Sequence, residues 1–145
     1  VRIVATGTFR QAPAAVWEVL SDWERQASWM PDVAWIRVRG DGRGEGARLD
    51  VRTKVLGIPA VTDEVLVTAW DPPRRLAVEH RGLVKGKGEW RLEPFGSGTR
   101  FTWTEELRLP GGVAGELAIR AYAPIQRAML RRSIRNLGAL CDAAR

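Results

Sequence analysis

The stretch VAGELAIRAYAPIQRAMLRRSIRNLGALCDAA, Val113 to Ala144, decides how the rest of the chain must fold. Pro110, Gly111 and Gly112 end whatever precedes it, and from Val113 onward the pattern predicts one long helix with a single interruption at Pro124. Ile119, Tyr122, Ile125, Met129, Leu130, Ile134, Leu137 and Cys141 recur at spacings of three and four, the repeat that gathers side chains on one helix face. Arg120, Arg127, Arg131 and Arg135 fall mostly on other faces. A stripe of this length has to be buried. Upstream of Pro110 the apolar residues alternate with period two, so a curved antiparallel sheet wrapped around the helix is the simplest partner. Where such a sheet does not close on its helix, a cavity remains.

Next to this stretch, Phe95-Gly96-Ser97-Gly98 reads as a two-residue turn with Gly first. It sets Leu92 opposite Phe101, Trp90 opposite Trp103 and Gly88 opposite Glu105, and on the other face Glu93 opposite Arg100. Further upstream Leu76, Val78 and His80 share one strand face. Asp71-Pro72-Pro73 is the turn that closes a strand from Val61 to Trp70. Leu49, Val51, Thr53 and Val55 alternate with charged residues, as do Ile36 and Val38 across the glycine-rich loop from Gly40 to Gly46. That loop lacks the Gly-Lys-Ser/Thr ending and the following helix of a phosphate-binding loop. Ile3, Ala5, Gly7 and Phe9 mark a first strand. Pro13 then opens a short helix buried through Val16, Val19, Leu20 and Trp23. Ser21 and Glu24 have capping-box spacing, which predicts a second short helix that Pro31 stops. The fold class expected is α+β: seven strands in a curved antiparallel sheet, two short helices after the first strand, and the long helix last.

With 145 residues, 45% of them hydrophobic, the chain suits a single domain over residues 1–145. Its formal charge of +6 raises the question of nucleic acid, but acidic residues are interspersed and no run of like charge occurs, so no nucleic-acid partner is expected. Lys54, Lys85 and Lys87 are the only lysines, so 20 of the 23 basic residues are arginine. Cys141 is the only cysteine and falls on the apolar stripe, where it reads as a buried small hydrophobe. One histidine and no cysteine pair leave only carboxylates as metal ligands, so neither metal nor cofactor is expected. No signal peptide is visible, and no apolar run approaches the roughly 20 residues of a membrane span. A soluble, cytoplasmic protein without stable membrane insertion is the expectation.

Four local motifs sit within this pattern: Ala12-Pro13-Ala14-Ala15-Val16-Trp17, Leu20-Ser21-Asp22-Trp23, Trp29-Met30-Pro31, and Gly98-Thr99-Arg100-Phe101-Thr102-Trp103. Together with the element order they resemble the START-like (SRPBCC) superfamily, in particular its bacterial polyketide cyclase/dehydrase and lipid-transport branch. The resemblance spans the whole chain. It implies the helix-grip fold and a deep, largely apolar cavity between sheet and long helix, one that takes lipids, polyketides, sterols or other hydrophobic molecules. The motifs are signatures of fold and carry no catalytic group.

Glu105 is the one charged residue on an inward face otherwise made of Trp90, Leu92, Phe101, Trp103, Leu107 and Leu109. A carboxyl in such surroundings has its ionised form disfavoured, which suits it to acid or base work near neutral pH. His80 faces the same way two strands off, so with strands about 4.8 Å apart the two side chains are expected to start roughly 10 Å apart and flank a ligand. Gly82, Gly86 and Gly88 lie nearby, either leaving room for that ligand or marking a bend. Trp29, Trp90, Phe101, Trp103 and Leu107 are the expected cavity wall on the sheet side, and Ile119, Tyr122 and Gln126 on the helix. Trp17 and Trp23 are expected to pack the short helices onto the sheet. A kink at Pro124 would widen the opening.

Two readings follow. In one the protein is an enzyme that folds a poly-β-keto chain, with Glu105 or His80 moving protons during aldol closure and loss of water. In the other it is a carrier of a lipid, quinone or other apolar metabolite. A Glu105 neutralised by an arginine such as Arg120 would favour the carrier. A free carboxyl facing the cavity would favour the enzyme.

Overall fold

The computed structural model describes residues 1–144. Strand β1 (Arg2–Phe9) is followed by helix α1 (Pro13–Leu20) and a 3-10 turn (Trp23–Ser28). Then come β2 (Val33–Arg39), β3 (Arg48–Val55), β4 (Ile58–Asp71), β5 (Arg75–Arg81), β6 (Lys85–Phe95), β7 (Gly98–Arg108) and helix α2 (Gly112–Ala143). All seven strands join one antiparallel sheet in the order β1-β7-β6-β5-β4-β3-β2. The expected helix-grip architecture is therefore present, with each strand from β2 to β7 pairing with the next and only β1 joined to the strand at the far end of the sequence.

The β6–β7 register is the one the Gly96 turn predicts: Leu92 pairs with Phe101, Trp90 with Trp103, Gly88 with Glu105 and Glu93 with Arg100. Gly96 adopts φ +60°, a left-handed conformation that glycine enters without a Cβ clash.

Two local expectations are corrected. The second short helix is present, as a 3-10 helix over Trp23–Ser28, but without the Ser21 capping box: its N-cap is Asp22, without a side-chain cap. Ser21 turns back instead, its Oγ donating to the Trp17 carbonyl at 2.7 Å. The turn is anchored by side chains: Trp23 Nε1 donates to the Gly42 carbonyl at 2.7 Å and Gln26 Nε2 to the Leu20 carbonyl at 3.1 Å. The segment is six residues long, a short connector of the kind in which 3-10 turns are common. Helix α2, conversely, is not interrupted; Pro124 lies inside it on the exposed side. Ile125 leaves the buried stripe with it and is 43% exposed.

The core lies between the inner face of the sheet and α2. Phe9, Trp17, Trp23, Trp29, Trp70, Trp90, Phe101 and Trp103 form a continuous run of rings with neighbouring centroids 5.3–6.4 Å apart. Trp17 and Trp23 tie α1 and the 3-10 turn to Trp70 of β4, as expected. The C-terminal half of α2 meets β1 where Gly7 clears the way; a Cβ there would collide with Ile134 Cγ2. Leu130, Ile134, Leu137 and Cys141 are buried on this half. Burial, with the charge of Asp142 adding to it, pushes the Cys141 thiol up to about 11, so it stays protonated at neutral pH. The N-terminal half of the helix has no such close seat on the sheet, and the space beneath it is the cavity.

Candidate functional site

The cavity has a volume of about 230 Å³ and largely apolar walls. Its helix side is Ile119, Tyr122, Gln126 and Leu130. Its sheet side runs from β2 to β7, through Ile36, Leu49, Val51, Val65, Leu76, Val78, Trp90, Trp103 and Leu107. It reaches the surface beside Val55, which lines it and is 40% exposed.

Of the residues expected on this wall, Trp90, Trp103, Leu107, Ile119, Tyr122 and Gln126 are there, and both Glu105 and His80 face in. Trp29 and Phe101 are not on the wall, which corrects their assignment. Phe101 pairs with Gly7, under the close contact of α2 with β1. Trp29 is fully buried against Trp90 and Trp103, and its carbonyl accepts from Asn136 Nδ2 at 3.2 Å, again beside the C-terminal half of the helix. Both rings back the cavity from the packed end.

The geometry of Glu105 and His80 also differs from the expectation. They do not stand apart across a ligand: His80 Nε2 and Glu105 Oε2 share a hydrogen bond of 2.9 Å. The reason is Gly88. On β6, between the two, it pairs with Val78 on one side and with Glu105 on the other. Having no side chain, it lets the imidazole and the carboxylate lean together above it; a Cβ there would sit 3.0 Å from both Glu105 oxygens. The other glycines leave no empty space either. The Asp63 carboxylate fills the position beside Gly82, where a Cβ would otherwise stand. Gly86 has φ +146° and a Cβ there would collide with the Glu106 carbonyl oxygen, so it serves the bend.

Glu105 is held on its second oxygen as well, where Trp103 Nε1 donates to Oε1 at 2.8 Å. Arg120 plays no part, since its guanidinium pairs with Glu116 on the outside of α2. The carboxylate is thus 7% exposed, fixed by one indole and one imidazole, and touched by no arginine among the described residues. Burial disfavours the His80 imidazolium, but the charge of Glu105, its hydrogen bond and the charge of Asp63 outweigh burial, and the His80 pKa is raised above the ordinary 6.5. With Nε2 engaged by the carboxylate, Nδ1 is the ring nitrogen left to give or take a proton.

Asp32 also faces the cavity, and sequence reasoning missed it. It directly follows Pro31 and was legible only as part of a helix stop. A β-bulge between Val33 and Trp35 follows it directly, and a bulge leaves no mark in an alternation count. Burial is the largest influence on the Asp32 carboxyl and pushes its pKa up; a hydrogen bond to its own backbone opposes this, and the charge of Glu105 adds to it. The Tyr122 hydroxyl is pushed up in turn, by burial and then by Asp32.

A family model described as polyketide cyclase / dehydrase and lipid transport matches residues 1–141. The chain belongs to this family. No curated protein matches it in sequence. Among solved structures, TTHA0849 from Thermus thermophilus is similar with a TM-score of 0.81 at 19% identity, covering 99% of each chain. One region of StfQ, a di-domain ARO/CYC protein from the steffimycin biosynthetic pathway, gives a TM-score of 0.80 at 13% identity; the match takes 99% of this chain and 51% of that one. A START superfamily protein from Mycobacterium smegmatis gives 0.72 at 15% identity, with 99% of both chains covered. At these identities the structural likeness is one of fold. Family and fold together make the space under α2 a hydrophobic-ligand cavity of the START-like kind. No helix among the described residues is long and apolar enough to cross a membrane.

Proposed function

We propose that this protein binds a compact apolar molecule in the cavity and moves protons on it through His80 and Glu105, as a polyketide cyclase/dehydrase-like enzyme. The observation that carries this reading is the His80–Glu105 hydrogen bond on an otherwise apolar wall, with no arginine among the described residues to neutralise the carboxylate. In aldol closure a base removes a proton from the carbon between two carbonyls, that carbon bonds to a second carbonyl carbon, and the new alkoxide takes a proton. Loss of water then needs the same two transfers. A histidine that donates or accepts at Nδ1 while Glu105 steadies its charge serves each transfer, and proton transfer of this kind contributes about 10²- to 10⁴-fold. The walls supply the rest by holding the chain bent.

The carrier reading is kept for one observation. Apolar side chains stand in solvent at Leu56 and Ile58 of the β3–β4 turn, which follow the cavity-lining Val55, and at Val113 and Leu117 on the first turns of α2, between 62% and 78% exposed. Exposed apolar side chains of this kind suit transfer of an unchanged ligand from an apolar surface.

Native mass spectrometry of protein purified from its own host, with extraction of what it carries, separates the two. A cyclised or dehydrated polyketide, and turnover lost in Glu105→Gln and His80→Ala, is the result expected. A lipid or quinone recovered unchanged overturns the enzyme in favour of the carrier.

A further inference from the structure

The chain carries a formal charge of +6, and 20 of its residues are arginine. Among the described residues not one arginine lines the cavity. The groups that do line it include Asp32, Asp63 and Glu105 against Lys54 and His80, so the inside of a basic protein is acidic. Glu89 also borders the cavity, but its carboxylate is turned to Arg75 and Arg91.

The three carboxylates are not equivalent. Glu105 is engaged by His80 and Trp103. Asp63 Oδ1 accepts the Leu83 N–H at 3.2 Å. Asp32 has no ion pair among the described residues and no hydrogen bond from another side chain. The cationic residue beside it, Lys54, has its backbone N–H on the Asp32 carbonyl at 2.6 Å, yet its ammonium forms no ion pair among the described residues. Four aromatic residues, Trp23, Trp90, Trp103 and Tyr122, stand around the same space. Aromatic walls with an unpaired carboxylate are the chemistry that recognises an organic cation: the rings offer their negative faces and the carboxylate a counter-charge. An anionic ligand would meet three carboxylates against Lys54 and His80, and no guanidinium among the described residues.

We infer that the cavity selects an apolar ligand carrying a protonated amine, with Asp32 as its counter-ion and the indole-lined wall as its apolar seat. This rests on the reading of the cavity as a ligand site and adds the charge of the ligand. It also bounds the size: a cavity of about 150 Å³ takes benzene, so one of about 230 Å³ takes one or two rings.

The test uses one skeleton with three head groups: naphthylmethylamine, naphthylmethanol and naphthylacetate, titrated calorimetrically into the full chain near neutral pH. The amine is expected to bind about 10-fold more tightly than the alcohol, with the carboxylate weakest. In Asp32→Asn, which keeps the side-chain shape, the amine's advantage is expected to disappear while the alcohol binds within about 2-fold of wild type. Alcohol and amine binding equally to wild type, or an amine preference that survives Asp32→Asn, overturns the inference and leaves the cavity reading standing. Binding of none of the three overturns both.

Discussion

At the scale of single residues, the pair His80–Glu105 depends on an absence of atoms at Gly88. Its backbone does not adopt a positive φ, so Gly88→Ala adds one methyl without backbone strain and pushes it against both carboxylate oxygens. The carboxylate must then shift by a few tenths of an ångström, and the bonds to His80 and Trp103 loosen together. The expected cost is about 1 kcal/mol, read by urea unfolding. Because the chain has one histidine, its titration is directly visible by NMR. Glu105→Gln removes the larger of the two charges that, with the hydrogen bond, outweigh burial, so the His80 midpoint should fall below its ordinary 6.5; a midpoint unchanged from wild type would show that the carboxylate does not set it. The same shift links stability to pH. With a folded-state pKa raised above the unfolded value near 6.5, His80 stabilises the fold fully below that value, and its contribution fades as pH rises through the folded one. The stability gap between wild type and His80→Gln should therefore be larger at about pH 6 than at about pH 9, by chemical unfolding at each. The sequence placed His80 and Glu105 on one face correctly because alternation fixes faces. It did not show their contact, because strand spacing locates backbones, and the reach of two long side chains over a glycine is a separate fact.

At the scale of elements, helix α2 is held at one half and spaced from the sheet at the other. Gly7 against Ile134 is the fixed point. Gly7→Val would drive branched carbons into that contact and should cost roughly 1–3 kcal/mol as overpacking, measured as a lowered Tm. Pro124 is the converse case. It lies exposed inside a helix of 32 residues, where it withholds one backbone N–H. Pro124→Ala restores that donor and should raise stability by about 2 kcal/mol, again read from Tm. The uneven seating of α2 also explains which wall residues were legible. Trp103 and Phe101 share a face of β7, and a face is all that period two reports. Only the tight approach at Gly7 places Phe101 beneath the packed half and Trp103 beneath the open one. The turn at Gly96 was legible because a tight hairpin leaves a compositional mark, whereas the bulge at Val33 that goes with Asp32 facing inward leaves none.

At the scale of the whole molecule, the space is set by sheet curvature and helix seating together, so it limits ligand size as a unit. A bicyclic ligand at 100 times its Kd should raise unfolding free energy by about 2.7 kcal/mol, while a rigid tetracycle of the same chemistry should give little or none. Thermal shift with a ring-size series measures this directly. The run of aromatic rings from Trp17 through Trp70, Trp23 and Trp90 to Trp103 has an optical consequence as well. Indoles whose centres lie 5.3–6.3 Å apart exchange excitation faster than they emit, so light absorbed at any of them is shared along the row. Trp23, Trp90 and Trp103 border the cavity, and a quencher seated there drains the emission of Trp17 and Trp70 too. The protein's own fluorescence is thus an occupancy gauge for the space under its helix.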